Sequence, residues 1–167
     1  LVKGYLYDDL KGWADATWAD RKNSPDSRST TGFFYETSVG PLLFYTKKQE
    51  CVTNSTCESE IMSNRSCCMQ GTWKRNLIVD VGFGFSKPTE IMQDNTGSIA
   101  LCKTDAHHAR SRHFRIACHY LKELYDRRVF RFTWCQSNQM KADVLTKALS
   151  ATPHQRFERA LTNEIGA

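Results

Sequence analysis

Leu10-Lys11-Gly12-Trp13-Ala14-Asp15-Ala16-Thr17-Trp18 is the stretch on which the reading of this chain turns. It has the make-up of a strand, and Trp13 with the small residues around Asp15 suits a central place in a sheet. Working outward, Asn23-Ser24-Pro25-Asp26-Ser27 is a turn cluster. Two runs of apolar, β-branched and aromatic residues follow at 30–37 and 42–46, separated by Val39-Gly40-Pro41. Three successive strands in a meander are the simplest reading.

Ser55 or Thr56 can cap a helix reaching to about position 81, with Glu58 in the first turn, where the helix macrodipole favours an acid, and Glu60 further along. Ser63, Asn64, Ser66, Gln70 and Gly71 dilute its apolar stripe, and Ile61, Met62, Cys68, Met69, Trp73, Leu77 and Ile78 are the expected buried side. Trp18 and Trp73 are both expected in the core. Positions 89–93 form a short strand running into Asp94-Asn95, and 97–103 looks helical. A stronger helix spans 113–127, with Phe114, Ala117, Leu121 and Leu124 at core spacing. Positions 129–134 alternate as a strand, 138–149 is predicted as a helix carrying Asp143, and Pro153 opens a last amphipathic helix through Phe157, Leu161 and Ile165. Without repeat, low-complexity tract or linker, this element order describes a mixed α/β sheet with flanking helices rather than a sandwich or bundle.

The 167 residues suit one domain with one core. Nine Phe, six Tyr and four Trp with 40% apolar residues argue against disorder. No apolar run approaches the roughly 20 residues of a membrane span, so no membrane partner is expected. The first residues carry no Met and no basic-then-apolar leader, which is the expected look of the cut end of a longer chain. A net charge of +5, from 23 basic against 18 acidic residues, favours a polyanionic partner. Seven cysteines without a Cys-x-x-Cys pair or zinc-like His spacing fit reduced, intracellular thiols, and Cys67 and Cys68 fit small apolar fillers.

Four acids stand in separate patches: Asp15, Glu60, Asp94 and Asp143. Such distant segments meet only if the fold gathers strand ends and helix starts at one place. Gathered carboxylates repel one another unless cations sit between them, so the pattern points to a hard divalent metal.

The blocks around these acids carry a resemblance. Trp13-Ala14-Asp15-Ala16-Thr17-Trp18-Ala19, Ser27-Arg28-Ser29-Thr30-Thr31-Gly32, Lys47-Lys48-Gln49 and Thr56-Cys57-Glu58-Ser59-Glu60-Ile61 are followed by Asp94-Asn95, His108-Ala109-Arg110-Ser111-Arg112-His113-Phe114 and Ala142-Asp143-Val144-Leu145-Thr146-Lys147. In this order they resemble the ribonuclease H domain of copia-type LTR retrotransposon Pol polyproteins, across nearly the whole chain.

The resemblance implies a ribonuclease H-like α/β fold over residues 1–167: a five-stranded mixed sheet, its first three strands antiparallel, with flanking helices, as the C-terminal part of a longer polyprotein. It makes Asp15, Glu60, Asp94 and Asp143 the catalytic, metal-binding quartet for two magnesium ions, with manganese as a substitute. Asp15 would bridge both ions, Glu60 and Asp94 would hold one side, and Asp143 the other. Glu58 competes with Glu60, but two residues apart on a helix they face different ways, and the match favours Glu60. The activity implied is hydrolysis of the RNA strand of RNA–DNA hybrids during reverse transcription, beside an upstream reverse transcriptase part. The setting implied is intracellular, a cytoplasmic virus-like particle or the nucleus. The alternative is a non-catalytic or weakly active hybrid-binding or tethering module, a domesticated remnant.

Asn95, Thr17, Lys47, Lys48, Arg110, Arg112 and His113 are the expected nucleic-acid contacts, with Arg115 a further backbone-positioning group. Thr17 stands where the family has a second Asp and Ile61 where it has Tyr. The flexible-loop His of cellular ribonucleases H has no counterpart between Trp134 and Asp143, and His107, His108, His113 and His119 carry no assigned catalytic role.

Overall fold

The structure is a computed structural model that describes residues 6–19, 27–104 and 112–162. β1 (Lys11–Thr17), β2 (Thr30–Thr37) and β3 (Gly40–Lys48) form the antiparallel meander. α1 (Thr56–Asp80) leads to β4 (Thr89–Gln93), α2 (Thr96–Leu101) and α3 (Arg112–Asp126) lead to β5 (Phe130–Trp134), and α4 (Ala151–Thr162) ends the described chain. β4 and β5 add in parallel, giving one sheet of order β3-β2-β1-β4-β5. This is the expected mixed sheet of five strands, and β1 is its central strand.

β1 is central because it can be buried on both faces. Ala14 joins a core with Phe33, Tyr35, Ile61 and Ile91 beneath α1 and α3. Trp13 joins a second core with Phe34, Met140 and Ala142 on the opposite face. Side chains alternate along a strand, so residues 13 and 15 share the second face and 14 and 16 the first.

The long α1 is held to the sheet by its small and polar side. Ser59, Ser63, Cys67 and Gly71 recur every four residues on its buried face. At Gly71 a Cβ would come within 2.1 Å of the Tyr35 hydroxyl oxygen, a clash that only glycine avoids. Ser63 Oγ donates to the Asp15 carbonyl at 2.7 Å. Asn64 Nδ2 donates to Gln93 Oε1 at 2.7 Å, and Gln93 Nε2 donates to the Ala14 carbonyl at 3.1 Å. Buried polar groups bonded in this way fix one position of helix against sheet.

That arrangement corrects the expected apolar side of α1. Ile61 and Cys68 are buried, but Met69, Trp73 and Leu77 are 47%, 55% and 44% exposed. A close helix–sheet approach needs small residues inward, and the larger ones are turned out. Trp18, one residue past β1, is likewise 45% exposed rather than in the core, and its indole donates to the Thr53 carbonyl.

The segment 138–149 is not the predicted helix. It forms two 3-10 turns, Ser137–Gln139 and Lys141–Leu145, broken at Met140, whose ψ of 95° is extended. Met140 is fully buried against the Trp13 side of the sheet, and reaching that position interrupts the helical run. Pro153 lies in the first turn of α4, where no N–H is needed, and Phe157 buries the helix on the sheet. Ile165 and most of the 23–27 turn lie outside the described residues. All seven cysteines are free thiols, with Cys67 and Cys68 buried. Among the described residues no helix is long and apolar enough to cross a membrane.

Candidate active site

The four acids come from opposite faces of the sheet and gather around the C-terminal ends of its adjacent inner strands β1 and β4. β1 and β4 run parallel with Trp13 level with Met92. Continuing that register by two residues sets Asp15 level with Asp94, which leaves β4 one residue past its end. Glu60 enters from α1 on one face, and Asp143 from the second 3-10 turn on the other.

Local chemistry decides which glutamate of α1 enters. Ser55 caps the helix, its hydroxyl accepting from the Glu58 amide at 3.1 Å. Glu58 reaches back to the Asn54 amide at 2.5 Å and to Asn54 Nδ2 at 3.0 Å, a variant of the capping box. Glu58 is therefore held at the helix start, while Glu60 points into the protein and is only 5% exposed.

One ligand oxygen each from Asp15, Glu60 and Asp94 lies within 4.8 Å of the others. Asp15 is wholly buried. Glu60 Oε2 is buried and has no hydrogen-bond partner, an arrangement that is costly without a cation. Burial pushes the Glu60 carboxyl well above the usual carboxylate range, and the Asp15 and Asp94 charges push it further. Three gathered carboxylates, one of them with a buried unbonded oxygen, fit a divalent ion that prefers hard oxygen donors.

Asp143 stands slightly apart from this trio. Lys147 Nζ lies between the two sides, 2.7 Å from Asp143 Oδ1 and 3.1 Å from Asp15 Oδ1. Thr146 Oγ1 donates to Asp15 Oδ2, so both Asp15 oxygens meet donors from the segment that carries Asp143. Burial raises the Asp143 carboxyl to about 6 against the lowering hydrogen bond from Lys147.

The remaining expected contacts divide into three places. Thr17 and Asn95, beside Trp18 and Lys147, line the same cleft as Asp15, Glu60 and Asp94, about 450 Å³ in volume. Thr17 Oγ1 donates to the Thr146 carbonyl at 2.5 Å, and Asn95 Oδ1 caps α2 by accepting from the Ser98 amide at 3.0 Å. Lys47, Lys48 and His113 instead line a second hollow of about 590 Å³ between β3, α1 and the start of α3, joined by Arg65. There Lys47 pairs with Glu50 at 3.1 Å, and Lys48 donates to the Arg28 carbonyl at 3.3 Å. Arg112 and Arg115 are exposed at the start of α3. Arg110, His107 and His108 lie outside the described residues.

Sequence reasoning passed over Gly32, Gln49, Thr146 and Lys147 as parts of the site. Gln49 Nε2 donates to Thr31 Oγ1 and to the Ser59 carbonyl, both at 3.0 Å, linking the second hollow to the helix turn that carries Glu60. For Lys147 the available signal was a cation four residues after an acid.

No protein-family model matches the chain. A retrovirus-related Pol polyprotein from transposon RE1 of Arabidopsis thaliana is 30% identical over 148 residues, 89% of this chain and 10% of the polyprotein. Another from transposon RE2 of the same plant is 29% identical over 152 residues, covering 91% of this chain and 10% of that one. The polyprotein from transposon TNT 1-94 of Nicotiana tabacum is 28% identical over 149 residues, 89% of this chain and 11% of its own length. The chain thus spans about a tenth of the curated relatives it matches.

Solved structures show the fold. A ribonuclease H1 isolated from compost superposes with a TM-score of 0.61 at 10% identity, covering 95% of this chain and 99% of that one. The same protein in complex with an RNA/DNA hybrid gives 0.58 at 10% identity, with 94% and 99% covered. An N-terminal ribonuclease H domain from Mycobacterium tuberculosis gives 0.56 at 10% identity, with 93% and 97% covered. The sheet and helices described above are the ribonuclease H fold.

Proposed function

From a chain that is homologous to retrovirus-related Pol polyproteins of plant transposons and has the ribonuclease H fold, we propose an endoribonuclease that hydrolyses the RNA strand of RNA–DNA hybrids during reverse transcription. It acts as the nuclease part of a longer polyprotein, beside a reverse transcriptase part, in a cytoplasmic virus-like particle or the nucleus. One observation carries the reading: a Glu60 carboxylate oxygen lies at ligand spacing from Asp15 and Asp94, and the same buried carboxylate has an oxygen, Oε2, without a hydrogen-bond partner. Acids on a surface face do not converge in this way, and a fold kept only for binding needs no buried orphan carboxylate.

Asp15, Glu60 and Asp94 would hold one magnesium ion and Asp15 with Asp143 a second, with manganese as a substitute. Bound divalent ions supply the charge that phosphodiester hydrolysis needs at the attacking and leaving oxygens. The chain's own residues position the substrate. Lys47, Lys48, Arg112 and His113 meet the polyanionic backbone, and Asn95 and Thr17 border the scissile phosphate. Selectivity for a hybrid rests on groove shape and on contacts to the 2′-hydroxyl, the one group that marks an RNA strand irrespective of sequence.

The test is incubation of the purified chain with labelled hybrid, single-stranded RNA and duplex DNA across a magnesium or manganese titration. Metal-dependent cutting of only the hybrid's RNA strand is expected. Tight hybrid binding without cutting under either ion would favour the non-catalytic tethering module instead.

A further inference from the structure

Asp15 and Asp143 share a cation that belongs to the protein. Lys147 Nζ is 3.1 Å from one carboxylate and 2.7 Å from the other. The Asp15 and Asp143 side chains are 1% and 12% exposed, so both contacts are shielded from water at their acidic ends. The lysine side chain is 36% exposed, which leaves its flexible stem a route outward.

An ammonium in that position and a divalent ion bridging the same two carboxylates need the same space. Hard cations sit about 2.0–2.6 Å from carboxylate oxygens, only a little closer than the lysine nitrogen does here. Both cannot be present at once. Lys147 reaches the Asp15–Glu60–Asp94 trio only through Asp15, and Glu60 Oε2 has no hydrogen-bond partner among the described residues.

Resting on the metal-site reading above, we propose that Lys147 is a resident counter-ion at the Asp15–Asp143 position and makes metal loading ordered. The first ion enters on the Glu60 and Asp94 side of Asp15, where those two carboxylates make no ion pair with Lys147 among the described residues. The second enters only as Lys147 swings out, so the lysine and the second ion are coupled by competition. Lys147 is thus a positioning residue that sets how much free metal the full site requires.

The test needs no turnover. The parent chain and Lys147→Gln are titrated with manganese alone, without nucleic acid, by calorimetry and by counting free ion from its paramagnetic resonance. The parent should bind one ion well and a second more weakly. In Lys147→Gln the second ion should tighten by about tenfold or more, and by a larger factor than the first. Unchanged second-ion affinity in a folded variant overturns the proposal while leaving the metal site standing. Absence of any bound manganese in the parent overturns the site reading and the proposal together.

A measurement on the parent alone guards against a variant that does not fold. The shielded Lys147 side-chain nitrogen resonance should persist through the first magnesium equivalent and change with the second. A change complete at the first equivalent, or none at saturation, overturns the ordered exchange.

Discussion

Gly32 of β2 lies against Thr146, so closely that a Cβ on Gly32 would come within 2.5 Å of Thr146 Cγ2 and 2.9 Å of Leu145 Cβ. Gly32 is also the residue paired with Asp15 across β1 and β2. The missing side chain therefore lets the 3-10 segment bearing Asp143, Thr146 and Lys147 close over Asp15. Gly32→Ala should displace that segment, lowering stability by about 1–3 kcal/mol and weakening manganese binding at the same time. Thermal unfolding and calorimetry on the one variant check this, and unchanged metal affinity would mean that the segment is held by other contacts.

Glu58 and Glu60 should separate cleanly in mutants. Glu58→Ala removes the acceptor of the Asn54 amide at the helix start and should cost about 0.5–2 kcal/mol in urea unfolding while sparing hybrid cleavage. Glu60→Gln removes a buried carboxylate that is crowded by Asp15 and Asp94 and has one unbonded oxygen, so the metal-free protein should become more stable as cleavage is lost. Loss of cleavage in the Glu58 variant with retention in the Glu60 variant would reverse the assignment.

The polar contact between α1 and β4 should behave as core. Asn64→Ala deletes the donor to Gln93 Oε1 inside a buried network and should cost about 1–3 kcal/mol in urea unfolding. A neutral result would mean that the donation from Ser98 to the same oxygen satisfies Gln93 by itself.

Burial raises the folded-state carboxyl of Asp143 to about 6 and holds that of Glu60 well above its usual range. A carboxyl whose folded value exceeds its unfolded one binds protons more tightly in the fold, so it destabilises the ionised protein. Without metal, stability should rise as pH falls through about 6, and that gain should be lost as pH rises again. With manganese the slope should reverse, because the ligands must be ionised to bind. Melting temperatures between about pH 5 and 7.5, with chelator and with manganese, read both slopes.

The strands and the strongest helix were legible because their signals are local. A run of β-branched and aromatic residues marks 30–37, alternation marks 130–134, and the Phe114, Ala117, Leu121 and Leu124 spacing marks the α3 core side. Asp15, Glu60 and Asp94 were legible through the blocks around them. What stayed hidden depends on tertiary approach. Trp73 looked like core because a large aromatic in a helix usually is, yet the inward face of α1 is reserved for residues small enough to fit beneath Tyr35. Residues 138–149 looked helical because their composition permits it, but burying Met140 and Ala142 against Trp13 breaks the run into 3-10 turns. Lys147 carried no assigned role in the sequence, and only its proximity to two carboxylates sets it apart.

If the gathered acids make this chain a metal-dependent hybrid nuclease, cleavage of an RNA–DNA hybrid by the parent and by Asp94→Asn, side by side in magnesium, reads it at the site itself. The parent should cut the RNA strand, and the variant should bind the hybrid as tightly while its rate falls to about one-hundredth or less. A variant that cuts as fast as the parent would mean that Asp94 holds no catalytic metal.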